Sequence, residues 1–162
     1  MAVTRREAGA ASPVDYETLA ELRYQIRLFM RRREEAARAA GIEPQQYLLL
    51  LQLKGLEDRG PTTVGALAER LQIRHHSAVE LVDRLVERDM VARRRDSIDR
   101  REVSVTLRPA GEAVLRKLAL YSMEELRTEG PELVRVLRQL MPGRGRARRE
   151  QRTARTGGGG TQ

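Results

Sequence analysis

The run Arg74-His75-His76-Ser77, followed by Glu80 and Arg84, gathers imidazole, hydroxyl, carboxylate and guanidinium groups within about three helical turns. Groups of the first three kinds exchange hydrogen bonds with base edges, and Arg74 and Arg84 can hold phosphate oxygens. A second run, Arg93-Arg94-Arg95 leading through Asp96-Ser97-Ile98 to Asp99-Arg100-Arg101, is too charged to be core. An arginine at a loop tip can enter a narrow minor groove, where negative potential is concentrated. These residue types offer recognition of a polyanion rather than bond-breaking. There are two histidines, no cysteine, no phosphate-cradling glycine loop and no paired-carboxylate motif, so no catalytic residue and no enzyme is expected. Adjacent His75 and His76 do not share a helix face and have no evident third ligand, so neither a metal site nor a cofactor is expected.

The elements that must position these side chains are legible from periodicity. Leu67, Ala68 and Leu71 fall at helical spacing, and so do Ala78, Leu81, Val82 and Leu85, with Glu80, Asp83, Arg84 and Glu87 on the other side. The short break Gln72-Ile73-Arg74 between them makes the frame of a helix-turn-helix. After Asp89 the period changes. Val91-Ala92-Arg93 and Val103-Ser104-Val105-Thr106-Leu107 read as two strands, and a hairpin that follows such a helix pair with a charged connection is a wing. Alternation lets only some of Arg93, Arg94 and Arg95 face a bound nucleic acid.

Upstream, Asp15 is a candidate cap for a long helix to about Ala40, with apolar positions Leu19, Leu22, Ile26, Phe29 and Met30 suited to pairing with another helix. Arg31-Arg32-Arg33 and Glu34-Glu35 read as its charged, solvated end, and Gly41 stops it. Pro44 opens a second helix through Tyr47-Leu48-Leu49-Leu50-Leu51 to about Glu57, apolar nearly all round and therefore the central one. Thr62-Thr63-Val64 reads as a very short strand beside the hairpin, with Thr63 as cap for a helix over Val64 to Leu71. Arg108-Pro109-Ala110-Gly111 opens a fifth helix carrying Val114, Leu115, Leu118, Ala119, Met123 and Leu126. Arg108 cannot accept a hydrogen bond, so this start is expected to fray. Gly130-Pro131 is expected to break the helix, leaving a last one from Pro131 to Met141 with Leu133, Val136, Leu137 and Leu140.

Length and composition bound the rest. A chain of 162 residues with 40% hydrophobic residues suits one domain with a modest core. Its net charge of +8 favours an anionic partner, nucleic acid before membrane. Six Arg against one Glu in residues 143–162 supply +5 of that, so the charge argument rests on the wing and not on the total. The absence of cysteine excludes disulfides and thiolate sites. With no apolar leader and no run near the length of a membrane span, the expected place is the cytoplasm. Residues 1–12 read as a disordered leader, 13–142 as the domain, and 143–162 as a disordered basic tail.

The sequence resembles the MarR (multiple antibiotic resistance regulator) family of winged-helix transcription regulators. The resemblance runs in element order from about Tyr16 to Met141 and is sharp from Gly65 to Gly111. It is carried by Leu67-Ala68-Glu69-Arg70-Leu71, Leu81-Val82-Asp83-Arg84-Leu85, Asp99-Arg100-Arg101 and Val105-Thr106-Leu107-Arg108-Pro109-Ala110-Gly111. The order and spacing of these pieces are specific where each alone is weak. It departs from the family at Gln72, where Gly is frequent, and at Arg74 and Arg108, where a hydroxyl cap is frequent.

The resemblance implies a mainly α fold with a small β-hairpin, a winged helix-turn-helix flanked by N- and C-terminal dimerisation helices. The DNA-binding core would span about 44–107 and the dimerisation helices about 15–40 and 109–141. It implies a homodimeric repressor on a near-palindromic double-stranded DNA site. Arg74, His75, His76, Ser77, Glu80 and Arg84 would lie on the major-groove helix. Arg95, Asp99, Arg100 and Arg101 would lie on the wing, with Asp99 steering Arg101. It also implies a small anionic or aromatic effector, for which Tyr24, Arg27, Met30, Tyr47 and Tyr121 are candidate lining residues. The alternative is a winged helix that binds protein instead of DNA, since Glu80, Asp83 and Glu87 make the reading helix less basic than expected.

Overall fold

A computed structural model describes residues 14–95 and 103–141 of the chain. Five helices and three short strands follow in the order α1 (Tyr16–Ala39), α2 (Pro44–Leu56), a 3-10 turn (Glu57–Arg59), β1 (Thr62–Thr63), α3 (Val64–Leu71), α4 (His75–Glu87), β2 (Val91–Arg95), β3 (Val103–Leu107) and α5 (Pro109–Leu140). Among the described residues, 28–95 with 103–128 form one compact unit, and 14–27 with 129–141 form a second. Among the described residues no helix is long and apolar enough to cross a membrane.

The core of the first unit is built around α2. Leu49, Leu50 and Leu53 are buried with Leu67 and Ala68 of α3, Ala78, Val82 and Leu85 of α4, Val91 and Val105 of the sheet, and Leu115 and Leu118 of α5. The all-round burial expected of α2 holds on all but one side, where Leu51 stays 38% exposed. The sheet is antiparallel in the order β1-β3-β2, with Thr62 opposite Val105 and Arg93 opposite Val105 on the other edge. The expected short strand before α3 is therefore present. Thr63 also caps α3, its hydroxyl accepting the Ala66 N–H at 3.2 Å.

Three helices stop in the same way. Beyond α1, α3 and α4 stand Gly41, Gln72 and Asp89, all left-handed at φ 75°, 54° and 56°. The next residue in each case, Ile42, Ile73 or Met90, donates its N–H back to Ala37, Ala68 or Leu85. This is the Schellman motif, with its usual apolar contact across the corner. Glycine takes the left-handed conformation at no steric cost, whereas Gln72 and Asp89 occupy it because the corner around them requires it. Gln72 thus keeps the backbone of the glycine it replaces. α4 begins at His75, with Arg74 at the cap position and no side-chain bond to the helix.

The start of α5 is tied rather than loose, contrary to the expected fraying. The Arg108 N–H donates to Met90 O at 3.0 Å, and its guanidinium pairs with Asp89 at 2.8 Å. Gly111 is needed there, because a Cβ at that position would lie 2.2 Å from Met90 O. α5 itself corrects a second expectation. It continues through Gly130-Pro131 to Leu140 as one helix instead of breaking into two. Proline forfeits one N–H bond and crowds the preceding turn. The strong helix formers on both sides, Glu124-Glu125-Leu126-Arg127 and Glu132-Leu133, outweigh that local loss. One turn earlier the Thr128 hydroxyl donates to the carbonyls of Glu124 and Glu125, a contact that bends helices.

In the second unit Asp15 caps α1 as expected, accepting the Thr18 N–H at 2.9 Å. Hydrogen bonding with the Thr18 side chain, and then with its N–H, holds that carboxyl below the usual aspartate value. Val136 is buried, while Tyr16, Leu19, Tyr24, Val134 and Leu137 are exposed.

Candidate nucleic-acid interface

α4 has a sharply divided surface. Ala78, Val82 and Leu85 are fully buried, which fixes the roll of the helix on α2 and α3. The opposite side then carries His76, Glu80 and Arg84 into solvent, with Ser77 half-buried beside it, while His75, at helical spacing with Ala78 and Val82, is exposed because it stands at the first turn. Arg74 is exposed just ahead of the first turn. The six side chains expected to meet nucleic acid from this helix therefore lie on or beside one accessible stretch. Glu80 and Arg84 face each other at 4.0 Å, so part of the acidity of the helix is answered on its own surface.

Asp83 is answered from the wing. Val91, Arg93 and Arg95 share one face of β2 by strand alternation. Val91 closes the core. Arg93, two residues on, reaches α4: its Nη1 pairs with Asp83 Oδ1 at 2.6 Å and its Nη2 donates to Val79 O at 3.5 Å. Arg95, His75, Val79, Thr63 and Gly65 line the same groove of about 610 Å³ with Arg93, between the start of α4 and the hairpin. Strand alternation turns Arg94 to the other face of the sheet. Of the three strand arginines, then, Arg95 joins His75 beside the open groove and Arg93 is a tether. The wing residues Asp99, Arg100 and Arg101 lie outside the described residues.

The far end of α4 is held as well. Arg88 Nη2 donates to Gly41 O at 2.7 Å and Nη1 to Gln46 Oε1 at 3.2 Å. Neither contact follows from periodicity, because both cross from α4 to a corner more than forty residues away.

The five candidate effector residues fall in both units, Met30, Tyr47 and Tyr121 in the first and Tyr24 and Arg27 in the second. Tyr47 is a core residue, 4% exposed, its hydroxyl 3.3 Å from Ser122 Oγ. Tyr121 lines a groove of about 420 Å³ with Arg32, Ala36, Lys117 and Leu118. Tyr24 lines a separate groove of the second unit with Glu21 and Arg135. Arg27 and Met30 are exposed on α1.

Beside Tyr121 stands a largely buried ion pair whose arginine the sequence reading placed in solvent. Arg33 meets Glu125 at 3.4 Å, with side chains only 13% and 11% exposed. Arg33 also donates to the carbonyls of Phe29 and Ser122 and stacks on the Phe29 ring. Burial pushes the Arg33 guanidinium below its usual value against the pull of Glu125. The Tyr121 hydroxyl donates to Glu125 at 3.1 Å, which raises the phenol above its own usual value. Spacing did carry a signal here, since Arg33 continues the stripe Leu22, Ile26, Phe29, and Glu125 continues Leu115, Leu118, Ser122.

Comparison with known proteins agrees with this geometry. Residues 40–102 match the model of the MarR family. Over 106 residues the chain is 27% identical to the uncharacterized HTH-type transcriptional regulator YsmB of Bacillus subtilis (strain 168), covering 65% of this chain and 70% of that one. Among solved structures, AbsC, a MarR family transcriptional regulator from Streptomyces coelicolor, superposes with a TM-score of 0.64 at 20% identity, over 87% of this chain and 99% of its own. A single-site mutant of S. aureus MepR bound to an oligodeoxyribonucleotide superposes at 0.59 and 15% identity, over 89% and 95%. At these identities the structural likeness is one of fold.

Proposed function

The chain belongs to the MarR family, and on that premise we propose that it is a homodimeric, sequence-specific DNA-binding transcription regulator, a repressor released by a small anionic or aromatic ligand. The observation that carries the reading is the divided surface of α4. Its apolar side is locked into the core while His75, His76, Ser77 and Glu80 stand at the accessible N-terminal half, where a helix in a major groove meets base edges. Arg74, Arg84 and Arg95 flank that stretch as phosphate contacts, and the wing residues Asp99, Arg100 and Arg101 extend it to the minor groove. Against the protein-binding alternative, two of the three acids behind it have basic neighbours, Asp83 in Arg93 and Glu80 in Arg84.

Dimerisation rests on the exposed apolar residues of α1 and α5, among them Leu19, Ile26, Leu126 and Leu137. A second copy would cover them. The effector would occupy the groove beside Tyr121, where Arg32 and Lys117 outnumber Glu35 above an alanine and leucine floor. The YsmB relative is named as a regulator, which supports a non-enzymatic role in the cytoplasm.

Selection of bound duplexes from a random pool, followed by footprinting, tests the reading. The expected site is a near-palindrome with half-sites roughly 10 bp apart, because a two-fold protein presents its reading helices in a two-fold arrangement. A single asymmetric half-site bound by one chain, or no selected sequence, would contradict it.

A further inference from the structure

We propose that Arg88, whose guanidinium is turned to the corner between α1 and α2, is the positioning residue that sets the angle at which α4 meets DNA; the inference rests on the DNA-binding reading above. Arg88 stands at the end of α4, its own N–H bonded to Val86 O. Its planar guanidinium donates to two acceptors of one corner, Gly41 O at 2.7 Å and Gln46 Oε1 at 3.2 Å. That corner is itself fixed. Gly41 is left-handed, Ile42 closes back on Ala37, and Gln46 Oε1 also accepts the Glu43 N–H at 3.2 Å. Gln46 is 4% exposed, so it offers Arg88 a stationary partner. Two bonds from a rigid fork to two fixed oxygens define an orientation as well as a distance, which one bond from a flexible ammonium does not.

The lever arm makes the angle matter. Thirteen residues of helix span about 20 Å, so a tilt of about 5° at the held end moves the other end by roughly 2 Å. A shift of that size takes base-edge hydrogen bonds outside their working range. The tie is also separable from folding. Without Arg88, Gln46 Oε1 keeps the Glu43 N–H, and Gly41, exposed, can turn its carbonyl to water. The apolar contacts of Val82 and Leu85 remain, so α4 stays in place but loses its fixed inclination.

The experiment compares wild type, Arg88→Ala and Arg88→Lys in the full chain, on the duplex selected by wild type and on a scrambled duplex, over several salt concentrations. For Arg88→Ala we expect about tenfold weaker binding to the selected duplex, unchanged binding to the scrambled one, and an unchanged salt slope. Arg88→Lys should recover part of the loss, since it reaches one acceptor but not both. Equal losses on both duplexes with the salt slope reduced by about one would make Arg88 a phosphate contact and overturn the proposal. Selected-site binding that does not change in either variant would overturn it while leaving the DNA-binding reading intact. A wild-type chain that selects no duplex would overturn both. Should Arg88→Ala fail to fold, the separability claimed here is wrong, and Arg88→Gln, which also removes the charge, decides between positioning and phosphate contact by its salt slope.

Discussion

The winged-helix body and the outward faces of the two long helices use apolar side chains in opposite ways. In the body, Leu49, Leu50, Leu67, Val82 and Leu85 are fully buried. On α1 and α5, Leu19, Ile26, Met30, Leu120, Met123, Leu126 and Leu137 are between 37% and 59% exposed. The body completes its core from its own residues, and the long helices leave theirs exposed, where the proposed dimer would cover them. Rigid presentation of a reading helix needs the first arrangement, and assembly needs the second.

Substitutions on each side can break or sharpen that contrast. The largest effect should come from Leu85→Ala, which opens a cavity where α4 meets the core and should cost about 2–5 kcal/mol in denaturant unfolding. A cost under 1 kcal/mol would mean that α4 is not seated as described. Gly111→Ala comes next, at about 1–3 kcal/mol, since its methyl must displace the Met90 backbone and not a flexible side chain. Gln72→Gly should go the other way and stabilise by about 0.5 kcal/mol, relief of the left-handed residue outweighing the added freedom of the unfolded chain. The smallest effect on the body should come from Leu137→Glu. Amide exchange at Leu49, Leu50 and Val82 should keep its protection while light scattering shows the mass fall from two chains to one. Loss of protection in that variant would show that the body leans on the second copy, and a monomeric wild type would remove the partner altogether.

Most of the fold was legible because each element carries its own local signal. The α3–α4 pair, the Thr63 cap, the stop at Gly41 and the alternation of Val103, Val105 and Leu107 are all properties of short windows. What escaped is non-local. The bond from Arg93 to Asp83 and the tie from Arg88 to Gly41 and Gln46 join residues whose spacing in the chain has no period. Pro131 misled for a related reason, since a rule about one residue was set against the cooperative run of turns on both sides. The three arginines at 31–33 read as a solvated cluster because charge was weighed above position. Arg33 lies on the apolar stripe of its helix and is largely covered there.

The placement of β2 has a consequence for solubility. β3 is flanked on both sides, by β1 and β2, so β2 leaves one row of backbone N–H and C=O groups unpaired at the rim of the sheet. Such a rim is a template for strands of other molecules, and a crowded cell supplies many. Here it is occupied by three consecutive arginines, Arg93, Arg94 and Arg95. Two identical rims that approach each other bring like charges together before any ladder can form. The strand that flanks the reading helix is thereby also protected against fibrous self-association, with no proline or bulge required.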